Sequence, residues 1–458
     1  MQAPRRPASI VLAVTAVMAG SAIWGGAAVA QSPAAVDLGP ATGDVTALMI
    51  GWDDEDGIDP ITGKETKGIG AITELWNQKH GDSGINLNIV NIPWGEGSTG
   101  YGPKTASMVE ANEACVYHMP GQYDYSKRGL LQDLGVLIEQ DPNFEDVWEG
   151  QFLETATAWM PDNPKATAYL PAYSGVRVIH YDAKLFEDWG IEPLSENPTV
   201  DEITEKAKAM TGTNPVTGEQ NYGFWYQGEY LNWQFQTLAH AMGANWGQVN
   251  EDGSWTINWN TPEYLAAVNK LIELAQYAPE GALAAEAMPQ GFLTDQNVVA
   301  IIPEGEPGYF IQELINGTDE MRARYRTVHN LRGPDGLGGL ATVENYTMAA
   351  SCPNKLAAWE VLKFLAGDRD VQRYYFAEGG NLPTVTNGVE LMPELAVLPD
   401  AEIIATEPSF TEPRYPWAAS DPRWSLQAAL QAAIAGTLTP EEALAQAQAE
   451  TDAWLASQ

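Results

Sequence analysis

Short apolar runs of strand length alternate with runs of helical period along this chain, and that alternation predicts an α/β protein. Two further observations support the reading. Several helical runs open on a Thr placed to cap orphan backbone N–H groups. The composition, 45% hydrophobic and 19% charged, supplies a large core and too little charge for a disordered acidic chain. At 458 residues the chain has material for two or three domains of roughly 150 residues each.

Residues 1–30 read as a secretory signal peptide. Arg5 and Arg6 form a basic start, Ile10–Val29 is apolar and rich in small residues, and Ala28-Val29-Ala30 is a cleavage pattern before Gln31. Gly20, Gly25 and Gly26 interrupt the run, which argues against a membrane anchor, and no later segment is apolar for the length of a bilayer span. No Cys stands at the cleavage point to take a lipid. The mature chain is therefore expected to be exported, soluble and not inserted in the membrane, with 31–44 as a flexible leader.

The first strand is expected over Val45–Trp52, followed by the acidic loop Asp53–Gly57. A helix follows, with Ile69, Ile72, Leu75 and Trp76 on one face, and then an alternating strand over Ile85–Ile92. Thr199, Thr261 and Thr439 mark later helix starts, with Pro262 and Pro440 at first helical positions, where a missing N–H costs nothing. Glu202 and Glu442 are placed to complete capping boxes. Asn250–Trp255 reads as a hairpin turn, and Asp59–Gly63 and Asn214–Gly218 share one turn chemistry.

Charge excludes some partners. Against 24 Lys plus Arg stand 61 Asp plus Glu, a formal net charge of -37, so nucleic acid is not a partner, since phosphate binding needs a concentrated cationic surface. Sixteen Trp and 18 Tyr suit amphipathic ligands such as sugars, and suit ordinary cores equally. Cys115 and Cys352 are either a disulfide or two buried thiols. His80, His118, His180, His240 and His329 never fall at i, i+4, and there is no Cys-x-x-Cys, so no metal site is expected.

Near-matches to chemical motifs fail. Gly95–Gly100 has dinucleotide-turn spacing, but Pro93, Trp94, Gly102 and Pro103 lengthen the loop beyond a tight strand-to-helix turn. The run Asp53–Asp59 could hold Ca²⁺, yet Trp52 and Gly63 would occupy ligand positions of an EF-hand loop, so a solvated acidic loop is the better reading. No Gly-x-Ser-x-Gly elbow is present. No cofactor is expected, and nothing demands an enzyme.

Gly129–Leu134, Ala168–Tyr173, Val178–Asp182 with Leu185 and Phe186, Asn197–Ile203, Ala241–Gly243, Trp255–Trp259 before Thr261, Phe292–Pro307, Ala349–Leu365, Gly379–Pro383 and Ala435–Leu444 form an ordered series. In that order they resemble the family 1 extracellular solute-binding proteins of ABC importers, the maltose-binding-protein-like group. The resemblance implies a two-lobed α/β fold with discontinuous lobes and a hinged cleft. It places lobe I at 45–174 plus 328–375 and lobe II at 177–327 plus 380–458, with crossings near 171–178, 328–340 and 375–382. Both cysteines then fall in lobe I.

It also implies a ligand between the lobes. Candidate contacts are Trp52, Asp53, Tyr117, His118 and Tyr173 in the first lobe, and Trp233, Glu306, Tyr309, Trp417 and Trp424 in the second. For any single Trp, core packing is an equal alternative, and for His118 a satisfied, partly buried histidine is the plainer reading. Sugar rings stack their C–H faces on aromatics while carboxylates take their hydroxyls. The expected function is capture, by a periplasmic monomer, of a neutral carbohydrate or polyol and its delivery to the membrane permease of an ABC importer, without catalysis. A cationic organic solute is one alternative. A secreted carbohydrate-active hydrolase is another, and it would need a carboxylate pair at fixed separation. Intact-mass measurement of the exported product is expected to place its N-terminus at Gln31 or within a few residues; retention of Met1 would overturn the signal-peptide reading.

Overall fold

Two mixed sheets, each with its own hydrophobic core, account for most of the chain from Leu38 onward. The computed structural model describes residues 37–93, 101–118, 123–142, 144, 147–154, 156–160, 162–175, 177–226, 228, 231–282, 289, 291–305, 310–339, 342–410 and 421–457. The expected signal peptide and Gly95–Gly100 lie outside them. Among the described residues no helix is long and apolar enough to cross a membrane.

The first sheet begins with β1 (Gly43–Ile50), whose Val45, Ala47, Leu48, Met49 and Ile50 are all inaccessible to solvent. Burial on both faces is what a parallel strand between two neighbours requires. Gly51, at φ +81°, ends the strand two residues before the expected limit and leaves Trp52 outside it. Next come α1 (Gly70–His80), β2 (Ile85–Ile92), α2 (Tyr101–Ala111), β3 (Val116–His118) and β4 (Leu170–Gly175). α2 starts early enough to place Gly102 and Pro103 in its first turn, so they do not lengthen the loop as expected. Pro is tolerated there because first-turn N–H groups have no partner within the helix.

The second lobe holds β5 (Val178–Asp182), α3 (Ala183–Trp189), α4 (Val200–Ala209), β6 (Gln220–Phe224), α5 (Leu231–Ala241), α6 (Pro262–Ala275), β7 (Val299–Gly305), α7 (Ile311–Asn316) and β8 (Tyr325–Val328). The chain then returns to the first lobe as β9 (Thr342–Met348), α8 (Lys355–Gly367), α9 (Arg369–Gly379) and β10 (Leu382–Pro383), and ends in α10 (Asp421–Ile434) and α11 (Pro440–Leu455). Strand order in the first sheet is β10-β4-β9-β3-β1-β2, with β1 parallel to β2 and β3, and β9 antiparallel to β3 and β4. In the second it is β6-β7-β5-β8 behind the short edge strand Gly212–Thr213. Around the third crossing the two cores interleave: β10 pairs with β4 and Tyr375 and Val385 pack in the first core, while Phe376, Leu382, Met392, Leu395 and Leu398 pack in the second. β8 and Leu331 belong to the second lobe, and the first lobe resumes at β9.

Local chemistry follows the residues. Thr199, Thr261 and Thr439 each accept the backbone N–H three residues on. Glu442 closes its capping box, whereas Glu202 turns away to take Ser195 N at 2.8 Å and its hydroxyl at 2.6 Å, a second partner the spacing could not show. The two look-alike turns share their backbone bonds. Asp59 Oδ1 takes the N–H groups of Ile61 and Thr62, Asn214 Oδ1 takes those of Val216 and Thr217, and Gly63 and Gly218 close them at φ +73° and +76°. Asp56 is engaged by Lys67 and Gly68 N. These carboxylates of the acidic segment therefore shape its own hairpin, and among the described residues no cluster of His, Cys, Asp and Glu could hold a metal ion.

The lobes touch where that hairpin meets α7. Lys64 Nζ donates to Gln312 Oε1 at 3.4 Å and to the Ala377 carbonyl at 3.0 Å, while Gln312 Nε2 donates to the Phe376 carbonyl at 2.7 Å. Next to Gln312, Glu313 Oε2 is buried without a hydrogen-bond partner among the described residues. Burial, and after it the charge of Asp59, push the Glu313 carboxyl up to about 7.

Antiparallel pairing of Met348 with Val116 brings the residues just beyond those ends together, and Cys115 and Cys352 are disulfide-bonded with Cα atoms 5.0 Å apart. The bond closes a separation of 237 residues that contains the whole second sheet. Thiol titration in denaturant without reductant should find no free thiol, and the double Ser variant should lose stability, by roughly 5 kcal/mol if the chain-entropy model holds. Glu313 makes a second prediction. A carboxyl protonated when folded but ionised when unfolded weakens the fold as pH rises from 4.5, its ordinary value, to about 7. Unfolding free energies from urea titrations across that range should fall for the native protein relative to Glu313→Gln, by up to about 3 kcal/mol.

Candidate functional site

Trp52, just past β1, enters an aromatic group built from three elements. Its ring lies 5.7 Å from Tyr173 on β4, and 5.3 Å and 5.2 Å from Tyr374 and Tyr375 on α9. Tyr173 and Tyr375 are 4.7 Å apart. The Trp52 carbonyl is held by Asn91 Nδ2 at 2.6 Å, and its indole N–H is buried without a partner among the described residues. Burial raises the Tyr374 and Tyr375 hydroxyls above their ordinary value, so both stay protonated at any physiological pH.

Behind Tyr173 stands a polar pair. His118 Nε2 lies 3.1 Å from Glu344 Oε2 and 3.3 Å from the Tyr173 hydroxyl, and the His118 ring lies against Tyr346. His118 is inaccessible and Glu344 only 7% exposed. A buried carboxylate set against an imidazole offers an acceptor of fixed position.

Tyr117 does not join this group. Successive strand residues point to opposite faces, so with His118 on one side Tyr117 is turned to the other. There it is a core residue whose hydroxyl accepts from Ala114 N and donates to the Met108 carbonyl. Asp53 is exposed, its carbonyl accepts from Ile69 N, and its charge adds to the burial that raises the Tyr374 hydroxyl of the wall.

The second lobe has its own aromatic group. Trp233, in the first turn of α5, is 4% exposed, and the guanidinium carbons of Arg177 and Arg423 lie 5.4 Å and 5.0 Å from its ring centroid. Arg423 also lies 4.6 Å from the centroid of Trp424, which is 41% exposed. Arg177 sits in the crossing between β4 and β5, so Tyr173 and Arg177 link the two aromatic groups through one short stretch of chain. Glu306, Tyr309 and Trp417 lie outside the described residues or have no described side chain. An apolar cavity of the second core, lined by Phe224, Thr237, Leu271, Leu274 and Leu331 among others, shares no residue with either group.

The structure thus brings Trp52, His118 and Tyr173 together, and Trp233 with Trp424. Sequence reasoning missed Tyr374, Tyr375, Glu344, Arg177 and Arg423. The adjacent tyrosines beside the third crossing were a usable signal; Glu344 carried none, because only the pairing of β9 against β3 sets it beside His118.

Two discontinuous α/β lobes with aromatic and hydrogen-bonding groups gathered at the chain crossings define a two-lobed binding protein. The chain belongs to the bacterial extracellular solute-binding protein family, whose model matches residues 60–372. Solved structures share the fold. Maltose-bound MalE3 of T. maritima is 18% identical with a TM-score of 0.68, over 89% of this chain and 99% of that one. A Thermotoga lettingae TMO solute-binding protein bound with α-D-tagatose is 20% identical with a TM-score of 0.66, over 90% and 100%. One from Agrobacterium radiobacter K84 in complex with ribitol is 19% identical with a TM-score of 0.64, over 90% and 98%. At these identities the likeness is one of fold.

Proposed function

We propose that this protein captures a neutral carbohydrate or polyol in the cleft between its lobes and delivers it, in the periplasm, to the membrane permease of an ABC importer, without chemical turnover. The observation that carries the proposal is the Trp52–Tyr173–Tyr374–Tyr375 wall backed by the His118–Glu344 pair. Flat rings match the C–H faces of a sugar, and hydrogen-bonding groups of fixed position match its hydroxyls. The solutes in the similar folds, maltose, tagatose and ribitol, are of that chemistry. Interlobe clefts suit this task because two concave surfaces bury most of a small solute.

A cationic solute fits less well. Two guanidinium groups already lie against the Trp233 ring, the position a ligand cation would take in an aromatic cage. Salt separates the two cases, since the screening length falls from about 30 Å at 0.01 M to about 3 Å at 1 M and a neutral solute is indifferent to it.

A thermal-shift screen over maltose, tagatose, mannitol, ribitol and related solutes should find a stabilising ligand, adding about 2.7 kcal/mol at about 100 times its dissociation constant. Affinity should stay constant over that salt range. Trp52→Ala should weaken binding by about tenfold or more through lost apolar contact. A tenfold loss of affinity in high salt would favour the cation, and hydrolysis of a glycosidic substrate would overturn the binding-only reading.

A further inference from the structure

Trp255 packs against the cores of both lobes. It belongs to the antiparallel pair Gly247–Val249 and Trp255–Ile257, which hangs on the second core through Ile257 and Trp259. The turn between the strands is tight: Asn250 N donates to the Ser254 carbonyl at 2.8 Å, Asp252 Oδ1 takes Ser254 N and its hydroxyl, and Gly253 sits at φ +75°. A short arm closed in this way moves as one piece with its lobe.

The indole of Trp255 is stacked on Trp454 of α11, with centroids 5.0 Å apart and planes 18° from parallel. α11 is itself anchored in the second lobe, where Thr451 Oγ1 receives Trp259 Nε1 at 2.9 Å. The same indole packs against the first lobe's smaller cluster, which contains Leu48, Tyr117, Tyr125 and Leu131. From that lobe Lys127, the last residue of the helix Tyr123–Lys127, places its ammonium 5.9 Å from the Trp255 centroid. Lys127 also contributes to lowering the Asp252 carboxyl, after the larger effect of the Ser254 bonds.

We propose that Lys127, Trp255 and Trp454 form a clasp that holds the two lobes together in the absence of ligand. Stacking on Trp454 fixes the plane of the Trp255 ring, so its surface is presented to the first lobe and a cation can settle within reach of its face. Opening the lobes would strip Trp255 of its first-lobe neighbours and part it from Lys127, while its contacts within the second lobe persist. The clasp therefore acts on the open–closed equilibrium alone. None of its residues belongs to either aromatic group of the candidate site. Because apparent affinity scales with the fraction of protein in the binding-competent arrangement, the clasp tunes ligand capture from a place the ligand does not touch. The inference rests on the two-lobed binding reading and deepens it.

Small-angle scattering of the ligand-free protein tests this. Lys127→Met, Trp255→Ala and Trp454→Ala should each shift the curve to a larger radius of gyration, while Lys127→Arg and Trp255→Phe should keep the native curve. Trp255→Ala can loosen its own hairpin, so Lys127→Met decides: it keeps the side-chain stem, removes the charge, and lies on the opposite lobe. A Lys127→Met protein with native circular dichroism and melting temperature and an unchanged radius of gyration overturns the clasp. No ligand enters the measurement, so a failed sugar screen would leave this result standing, and a failed clasp would leave the sugar assignment standing.

Discussion

The chain leaves the first sheet at Gly175, builds the second lobe, and comes back as β9, antiparallel, between β3 and β4. That return is the constraint on which the rest of the molecule depends. A strand inserted between two others must satisfy backbone groups on both edges, and β9 does so with register to Val116–His118 on one side and to Leu170–Gly175 on the other. Its position then dictates three things at once: Cys352 meets Cys115, Glu344 meets His118, and α8 packs onto the sheet with Ala357, Ala358, Val361, Leu362 and Leu365 fully buried. Because first-lobe residues come from both sides of the second lobe in sequence, neither lobe is an uninterrupted segment of chain.

Buried charges hold the second lobe and its crossings in place. Asp182, inaccessible at the end of β5, caps α3 through Lys184 N and Leu185 N, accepts from Asn297 Nδ2, and takes Arg324 Nε on Oδ1 and Arg324 Nη2 on Oδ2. Glu407 performs the same service at the second crossing, where Arg332 donates to it at 2.7 Å and 2.8 Å and His329 at 2.5 Å. A buried carboxylate is costly unless every lone pair finds a donor, so such clusters tolerate one arrangement of their surroundings and few others. They add less to net stability than to the definition of where the chain turns. His180, buried between β7 and β8 with its ring bonded to Thr327 Oγ1, is a different case: burial lowers it to about 3, so it stays neutral and serves as a polar core residue.

The two aromatic groups differ in character, and the difference bears on ligand chemistry. The first lobe sets rings against rings with a carboxylate–imidazole pair behind them, a surface for C–H faces and hydroxyls. In the second lobe the buried Trp233 ring is instead in contact with two guanidinium groups, those of Arg177 and Arg423.

What the sequence determined by itself was local. The α/β class, the Thr caps at 199, 261 and 439, the paired turns at Asp59 and Asn214, and the strand over Ile85–Ile92 all depend on contacts within a few residues, and all are present. Ordered motifs along the chain were enough to point to the family. Tertiary structure decided the rest. That Tyr117 faces the core while His118 faces Glu344, that Glu202 prefers Ser195 to its own helix start, and that Leu382 pairs with Ser174 are outcomes of register between strands or segments brought together by folding. A shift of one residue in that register turns every side chain to the opposite face, and no pattern within a single strand reveals which neighbour it will meet.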